Sequence, residues 1–407
     1  MKKIKITAGG IVVILCCAVY FTSYLSRLDY GAVMAEMIAS GILKKESAGM
    51  IGTSLFFTYG VGQLVSGYLG DKIRPEKLIA CGLFVTALCN VLMPFTAEVA
   101  LLCVIWGING FAQALLWPPM VKLMSEYLSE KNYGRGVFCV STASHIATIL
   151  IYLFVPLCIA LTGWKSVFWY AGGMAAAVLV FFVAVSCRLK KNASALKSSE
   201  NIQAVSAEQS GFRNLFIFSG LILILAAIVL QGILRDGITS WMPTYLTEVF
   251  GMSAKTSILV NVLLPIFSWL CILLAGTLYK RVFKNEIKGA LFFFAAALIF
   301  AVIFLVFKEN AVVSVVSAAL ITGCMHAVNL LLICYVPMRF KKTGKVSLIS
   351  GTTNAFTYVG STISSYGFAV ISVSLGWTFL IYIWIAACVL ALIVLLFTLK
   401  PWKKFIG

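Results

Sequence analysis

The sequence predicts an all-α polytopic membrane protein with about twelve transmembrane helices, arranged as two pseudo-symmetric six-helix bundles. Three observations lead to this fold class. Apolar stretches recur along nearly the whole chain, basic residues alternate between the segments that join them, and one polar segment divides the chain near its middle. Hydrophobic residues make up 61% of the 407 positions. Charged residues make up only 11%, whereas soluble domains carry roughly 25%.

Each apolar stretch is long enough for one helix to cross a hydrocarbon core of about 30 Å, which needs roughly 20 residues. The predicted spans, in chain order, are 8–32, 47–69, 78–95, 99–125, 137–161, 164–187, 214–247, 254–279, 289–307, 311–337, 348–372 and 375–399. The basic start and first apolar run also resemble a signal peptide. No small-residue cleavage site follows that run, so we interpret it as the first span.

The formal net charge of +18 is explained by where the basic residues lie relative to the predicted spans, so a nucleic-acid partner is not expected. About 25 lysines and arginines fall in one set of alternating connecting segments, and about five fall in the other set. Basic residues concentrate in cytoplasmic loops, so we predict a multi-pass protein of the cell (inner) membrane with both termini in the cytoplasm. The twelve cysteines lack metal-ligand spacing, and we predict no metal and no cofactor.

A polar segment rich in Ser, Ala, Lys and Glu predicts a flexible cytoplasmic linker at 188–213. It separates an N-terminal six-helix bundle (1–187) from a C-terminal six-helix bundle (214–407). Short landmarks repeat in the two parts, and Arg27 in the first matches Arg235 in the second about 208 residues later. Duplicated helical halves are typical of secondary transporters, which build a central site between them.

Few ionisable side chains fall within the predicted spans, and each costs at least about 2.5–3.5 kcal/mol to place in a membrane. They are Arg27, Asp29, His145, Arg235, Asp236 and His326, with Glu36 nearer an outer end. Such residues are candidates for function. The alternative for the two arginines is snorkelling to the lipid headgroups, since each lies about 20 residues into its span. Apolar sequence continues beyond both arginines, which favours a position inside the membrane.

Two arginines that face one cavity offer paired planar forks to a phosphate or carboxylate. Arg27 and Arg235 therefore indicate a small anionic substrate. His145 is either a third donor to that anion or part of an interhelical hydrogen bond, and its sequence context leaves both open. His326 has no evident partner in the sequence, and packing is its expected role.

The segment between the second and third predicted spans carries a glycine and several charges, at Gly67, Asp71, Lys72 and Arg74. It resembles the cytoplasmic loop signature of the major facilitator superfamily, G-x-x-x-D-R-x-G-R-K. It departs from that signature at Lys72, where arginine is usual, and at Arg74 and Pro75. The resemblance implies the major facilitator fold, whereas a simple basic loop on the cytoplasmic side is the alternative.

Three further stretches, 115–136, 233–248 and 351–365, resemble segments of the organophosphate:phosphate antiporters, the relatives of bacterial glycerol-3-phosphate and hexose-phosphate transporters. Trp-Pro-Pro and Trp-x-Pro-Thr-Tyr-Leu patterns carry this likeness, which extends over nearly the whole chain. The resemblance implies that Arg27 and Arg235 bind phosphate. It also implies substrate-site roles for one histidine and four tyrosines, at His145, Tyr20, Tyr24, Tyr59 and Tyr358.

The chain departs from that family at several polar positions. Gln63 stands where glycerol-phosphate transporters carry a lysine, and Leu28 replaces a lysine that follows the first-helix arginine. Asp29 and Asp236 are unexpected acidic residues. On a helix, Asp236 is rotated by about 100° from Arg235, and Asp29 lies roughly opposite the first-helix arginine. Neither carboxylate therefore needs to neutralise its neighbouring arginine, and either is a candidate proton carrier.

Three functions remain open from the sequence. The first is alternating-access exchange of an organophosphate or sugar phosphate for inorganic phosphate. The second is proton-coupled movement of a sugar acid or other carboxylate, and the third is a transporter-like sensor of sugar phosphate. An enzyme is not expected, because the sequence contains no nucleophile elbow, HExxH motif, Walker loop or sizeable extramembrane domain. We expect a monomer in the lipid bilayer.

Overall fold

The computed structural model describes residues 7–193, 220–343 and 346–406. Helices joined by short loops make up these ranges. They are α1 (Ala8–Ala39), α2 (Lys45–Lys72), α3 (Pro75–Leu92), α4 (Val99–Ala114), α5 (Trp117–Tyr127), α6 (Glu130–Thr162), α7 (Lys165–Ala193), α8 (Leu221–Phe250), α9 (Ala254–Val260), α10 (Leu263–Leu278), α11 (Glu286–Val306), α12 (Ala311–Asn329), α13 (Val346–Ser374) and α14 (Gly376–Ile406). Short π-helical and 3-10 segments continue the ends of several helices, at Met93–Phe95, Tyr279–Phe283, Leu330–Tyr335 and Val336–Thr343.

Each of the twelve predicted spans coincides with a long helical segment, so the predicted order of spans is confirmed. Two of these segments are broken, and α4 with α5 and α9 with α10 each form one span. The break before α5 precedes Pro118 and Pro119, which lack the N–H groups that a continuous helix would need. Ten segments of the described chain are long and apolar enough to cross a membrane. The other two, α2 and α13, are 28 and 29 residues long and richer in Gly, Ser and Thr.

Several predicted boundaries differ from the structure. The helix α1 continues to Ala39 instead of ending at 32, because its last turns bury apolar side chains such as Val33 and Met37. The helix α7 continues to Ala193, into the predicted linker 188–213. The rest of that linker, and the predicted start of the seventh span at 214, lie outside the described residues.

The same pattern of helix pairs occurs in the two parts of the chain. In the first part α1 packs on α6, α2 on α4, and α3 on α7. In the second part α8 packs on α13, α10 on α12, and α11 on α14. If the twelve spans are numbered in chain order, the first half pairs spans 1 and 5, 2 and 4, and 3 and 6. The second half pairs spans 7 and 11, 8 and 10, and 9 and 12, which are the same pairs six spans later. The two six-helix halves therefore share one topology, as the repeated landmarks indicated.

The halves meet through α2 with α13, through α6 with α9 and α10, and through α1 with α8. Of these helices, α1, α2, α6, α8 and α13 carry the predicted substrate-site residues. We use "linker side" for the side of the bundle where loop residues 73–74, 128–129 and 284–285 lie. The loops at 40–44 and 251–253 lie on the opposite side.

On the opposite side an ion pair joins the halves. The ammonium of Lys45, at the start of α2, lies 2.6 Å from a carboxylate oxygen of Glu248 near the end of α8. The indole N–H of Trp377 donates to the same oxygen at 2.8 Å, and the ammonium lies 4.8 Å from the Trp377 ring centroid. The contact between the halves continues along α2 to Gln63, which accepts a hydrogen bond from Asn354 of α13 at 3.3 Å.

Glycines allow α8 and α13 to approach closely beside the predicted site. A Cβ atom added to Gly232 would overlap the carbonyl oxygen of Thr357, and one added to Gly360 would overlap that of Val229. Small residues at such crossings are typical of helix pairs in membranes, because they let two backbones come into contact. The close crossing brings Arg235, one turn after Gly232, next to the polar face of α13.

Candidate functional site

Arg27 lies on α1 between the two halves and is 8% exposed. Its guanidinium carbon is 4.4 Å from the ring centroid of Tyr24 and 5.0 Å from that of Tyr59. Contacts at this distance are attractive because the negative face of an aromatic ring favours a cation. Among the described residues, no protein atom accepts a hydrogen bond from its Nη1. The arginine is therefore buried, not snorkelling, and keeps a donor free for another partner.

The four predicted tyrosines come together around this arginine. The rings of Tyr20 and Tyr24 are 5.0 Å apart on α1. The rings of Tyr59, on α2, and Tyr358, on α13, are 4.3 Å apart across the boundary between the halves. Aromatic rings with hydroxyl groups thus line one polar cluster that both halves build.

Arg235 lies on α8 in the same cluster, and its guanidinium carbon is 5.9 Å from the ring centroid of Tyr358. Its Nε and Nη2 atoms donate to the two carboxylate oxygens of Asp236, each at 2.7 Å. The hydroxyl of Ser361 donates to Asp236 at 2.5 Å. A guanidinium group has five N–H donors, so this fork leaves three for other acceptors.

Helical geometry did not require Asp236 to neutralise Arg235, yet the structure pairs the two side chains. The two Cβ atoms do point in different directions on α8, as the helical geometry requires. The long arginine side chain nevertheless bends back, because two opposite charges in an apolar interior gain more by pairing than by separating. The C-terminal half therefore contributes an arginine whose charge is partly balanced.

Asp29 differs from Asp236, because it does not pair with the arginine of its own helix among the described residues. Its carboxylate is buried on α1, where Oδ1 accepts the backbone N–H of Tyr30 at 2.8 Å. Its Oδ2 has no hydrogen-bond partner among the described residues, and no ion pair links Asp29 to Arg27 there. The buried Gln63 is also incompletely paired, since only its Oε1 accepts a bond, from Asn354.

The histidines form a pair that sequence analysis missed. His145 on α6 and His326 on α12 lie with ring centroids 6.0 Å apart, one from each half. Arg235 and Asp236 act electrostatically on His326, which places it beside the arginine cluster instead of in isolated packing. The signal for this pair was that the chain contains two histidines, both in the middle of spans. The described residues include no group of three or more potential metal ligands.

The predicted cytoplasmic loop motif lies at the linker side. Gly67 is exposed on α2, and Arg74 is exposed at the start of α3, where its Nε is 4.0 Å from Glu76. The side chains of Asp71 and Lys72 lie outside the described part of the chain. Arg74 therefore lies on the surface of this loop.

Comparisons with known proteins find relatives that match nearly the whole chain. A probable hexose phosphate transport protein of Chlamydia muridarum (strain MoPn / Nigg) is 24% identical, over 94% of this chain and 89% of the relative. The membrane sensor protein UhpC of Escherichia coli (strain K12) is 24% identical, over 93% of this chain and 89% of the relative. Among solved structures, a D-xylose-proton symporter has a TM-score of 0.73 at 13% identity, over 96% of this chain and 97% of that one.

The sequence pattern of the Major Facilitator Superfamily matches residues 13–365, which is most of the chain. The symporter likeness supports the fold, and the two sequence relatives cover nearly the whole of both proteins. In the structure, the matched range includes helices of both six-helix halves and most of the polar cluster between them. The chain belongs to the Major Facilitator Superfamily.

Proposed function

We propose that the protein is an alternating-access carrier that moves a small organic anion, most simply an organophosphate or sugar phosphate, across the cell membrane. The observation that carries this proposal is Arg27, a buried cation with a free donor in a cluster that both halves build. A buried charge without a partner is costly in a membrane protein, and such charges mark substrate pathways. An anionic ligand supplies the missing partner.

The chemistry of the cluster suits a phosphate group. Arg27 and the remaining donors of Arg235 offer N–H groups, and the tyrosine hydroxyls offer further donors to phosphate oxygens. The rings of Tyr59 and Tyr358 exclude water around the arginines, which strengthens each charge-assisted hydrogen bond. A relative named as a hexose phosphate transport protein supports this ligand class.

The balance of charge limits the ligand. Asp236 cancels part of the charge of Arg235, and Gln63 adds no charge where related transporters carry a lysine. The site therefore presents a smaller positive charge than two free arginines and a lysine would. A phosphate monoester, or inorganic phosphate in exchange for it, fits this balance in our proposal.

Two alternatives have their own support. Proton-coupled transport of a sugar acid is favoured by Asp236, a carboxylate in the site itself, whose protonation would release Arg235. Sensing without transport is favoured by the relative named as a membrane sensor protein. All three functions use the same buried arginine cluster.

Uptake into proteoliposomes separates the three functions. Purified protein is reconstituted, and entry of labelled sugar phosphate is measured with and without inorganic phosphate inside the vesicles. Exchange that requires internal phosphate supports the proposed antiport, whereas uptake driven by an imposed pH gradient alone supports the proton-coupled alternative. Tight binding without any flux supports the sensor.

We also propose that both ends of the chain and the linker face the cytoplasm, from the partition of basic residues between loops. The test is a single cysteine at position 198 in a variant whose native cysteines are replaced. In intact cells, an impermeant thiol reagent should leave this cysteine unlabelled until the membrane is opened. Labelling from outside would contradict the proposed topology.

A further inference from the structure

The histidine pair is a polar feature between the halves, and the arginine cluster does not explain its chemistry. His145 and His326 lie 6.0 Å apart, measured between ring centroids, and both rings are half-buried in the middle of their helices. One ring comes from each half. A ligand that contacts both rings therefore contacts both halves, as a substrate must do to stabilise a closed intermediate.

Hydrogen bonds within each helix fix which nitrogen carries the proton. Nδ1 of His145 lies 2.8 Å from the carbonyl oxygen of Ser141, and Nδ1 of His326 lies 2.9 Å from that of Thr322. A carbonyl oxygen only accepts, so Nδ1 must be the donor in both rings. In the neutral form of each ring, Nε2 is then a hydrogen-bond acceptor and not a donor.

The same bonds fix the direction of each ring. Because Nδ1 is held against the preceding turn of its own helix, Nε2 at the far edge of the ring points away from that helix. For His326 the nearby charges are Arg235 and Asp236 on α8 and His145 on α6. Asp236 is already occupied by Arg235 and Ser361. Nε2 of His326 thus places an acceptor beside Arg235, and the ring of His145 lies next to the ring of His326.

We infer that His326, together with His145, recognises hydroxyl groups on the carbon skeleton of an organophosphate. The arginines and tyrosines hold the phosphate, and the two imidazoles accept hydrogen bonds from the hydroxyls. The inference rests on the proposed function and narrows its substrate class to phosphate esters of polyols or sugars. Simple alkyl phosphates have the same charge but no hydroxyl to donate, so they leave both acceptors unpaired.

Matched ligands test this assignment. Binding to the purified protein is measured at about pH 8, where a histidine with an ordinary pKa is neutral. Glycerol phosphate is compared with propyl phosphate, and glucose 6-phosphate with cyclohexylmethyl phosphate. We expect the hydroxylated ester of at least one pair to bind about tenfold more tightly, the value of one well-placed hydrogen bond.

Two variants of the same residue complete the test. His326→Leu removes the acceptor, so the hydroxylated ester of each pair should then bind no more tightly than its alkyl partner. His326→Gln keeps an amide oxygen near the position of Nε2 and should retain most of the preference. The melting temperature of each purified variant, compared with that of the wild type, shows whether the variant is folded. A folded His326→Leu variant that binds no ester at all would overturn the assignment to the hydroxyl groups.

The outcomes separate this inference from the proposed function. If the wild-type protein binds no phosphate ester, and no inorganic phosphate, the proposed function fails and the inference with it. If it binds hydroxylated and alkyl esters equally, the proposed function stands and the role of His326 is wrong. A preference that survives in His326→Leu also overturns the assignment.

Discussion

Tyr59 and Tyr358, one from each half, lie with ring centroids 4.3 Å apart, and each ring also contacts the arginine of its own half. Arg27 and Arg235 are therefore linked through a pair of phenol rings in contact, tilted by 48° to each other. Because of this arrangement, the contacts of a ligand bound at one arginine depend on the position of the other half. Binding energy that is available only when both halves converge can stabilise the closed intermediate of an alternating-access cycle.

Arg27→Lys should keep the fold and lose most anion binding. Lysine retains the charge but not the planar fork, so a bidentate contact is lost. One charge-assisted hydrogen bond is worth about 1.5–3 kcal/mol, which predicts roughly a ten- to hundredfold weaker affinity. Binding of a phosphate ester to the purified variant is the measurement, and Arg188→Lys at an exposed position of α7 is the matched control. Equal affinities in the two variants would show that Arg27 does not bind the anion.

Asp236→Asn should leave Arg235 without its ion-pair partner. The stability of the folded protein should then depend more strongly on a bound anion. Removing one partner of a buried ion pair costs about 3–5 kcal/mol, because the other charge is left uncompensated. We expect a lower melting temperature without ligand and a larger rise on adding inorganic phosphate or a phosphate ester. Thermal unfolding with and without these anions measures both effects. A variant that melts like the wild type and gains no extra stabilisation would contradict the pairing.

Lys45 and Glu248 should hold the opposite side of the halves together. Their side chains are 10% and 33% exposed, so the pair is worth only about 0–1 kcal/mol, enough for a several-fold change in a balanced equilibrium. Lys45→Glu should increase the labelling of a cysteine placed in the central cluster by a reagent added on that side. The double variant Lys45→Glu with Glu248→Lys should restore the wild-type rate. Labelling that ignores both changes would show that the pair has no role in closure.

Gly360→Ala should destabilise the crossing of α8 and α13. The added methyl group meets the backbone of Val229, which has no flexible end that can move aside. Gly367→Ala is the control on the same helix, because its added Cβ meets no atom within 4 Å. The yield and melting temperature of the purified variants measure the difference. Equal behaviour of the two would mean that the helices separate more easily than their contact indicates.

Much of the fold was predictable because each membrane-spanning helix requires a long apolar stretch, which is visible in the sequence. The predicted spans coincide with the helical segments, and the arginines at matching positions of the two parts lie in one cluster. The end of α1 was placed too early, since the sequence alone does not show that the turns around Val33 and Met37 are buried by other helices.

Side-chain pairing was harder to predict than helix position. A helical wheel gives the direction of a Cβ atom, but not the conformation of the long Arg235 side chain, which bends to meet Asp236. The contact of His145 with His326 depends on how the two halves face each other, and residues far apart in sequence carry no local signal of it. Such features follow from packing between halves and become visible only in three dimensions.

Exchange of labelled inorganic phosphate tests the central claim most directly. Proteoliposomes loaded with inorganic phosphate are placed in labelled phosphate, and entry of label is followed with increasing external sugar phosphate. The wild-type protein should exchange phosphate, the sugar phosphate should inhibit this exchange competitively, and Arg27→Lys should reduce it to a small fraction. Exchange at the rate of protein-free vesicles, or an Arg27→Lys variant as active as the wild type, would contradict the account of an anion carrier built on this arginine.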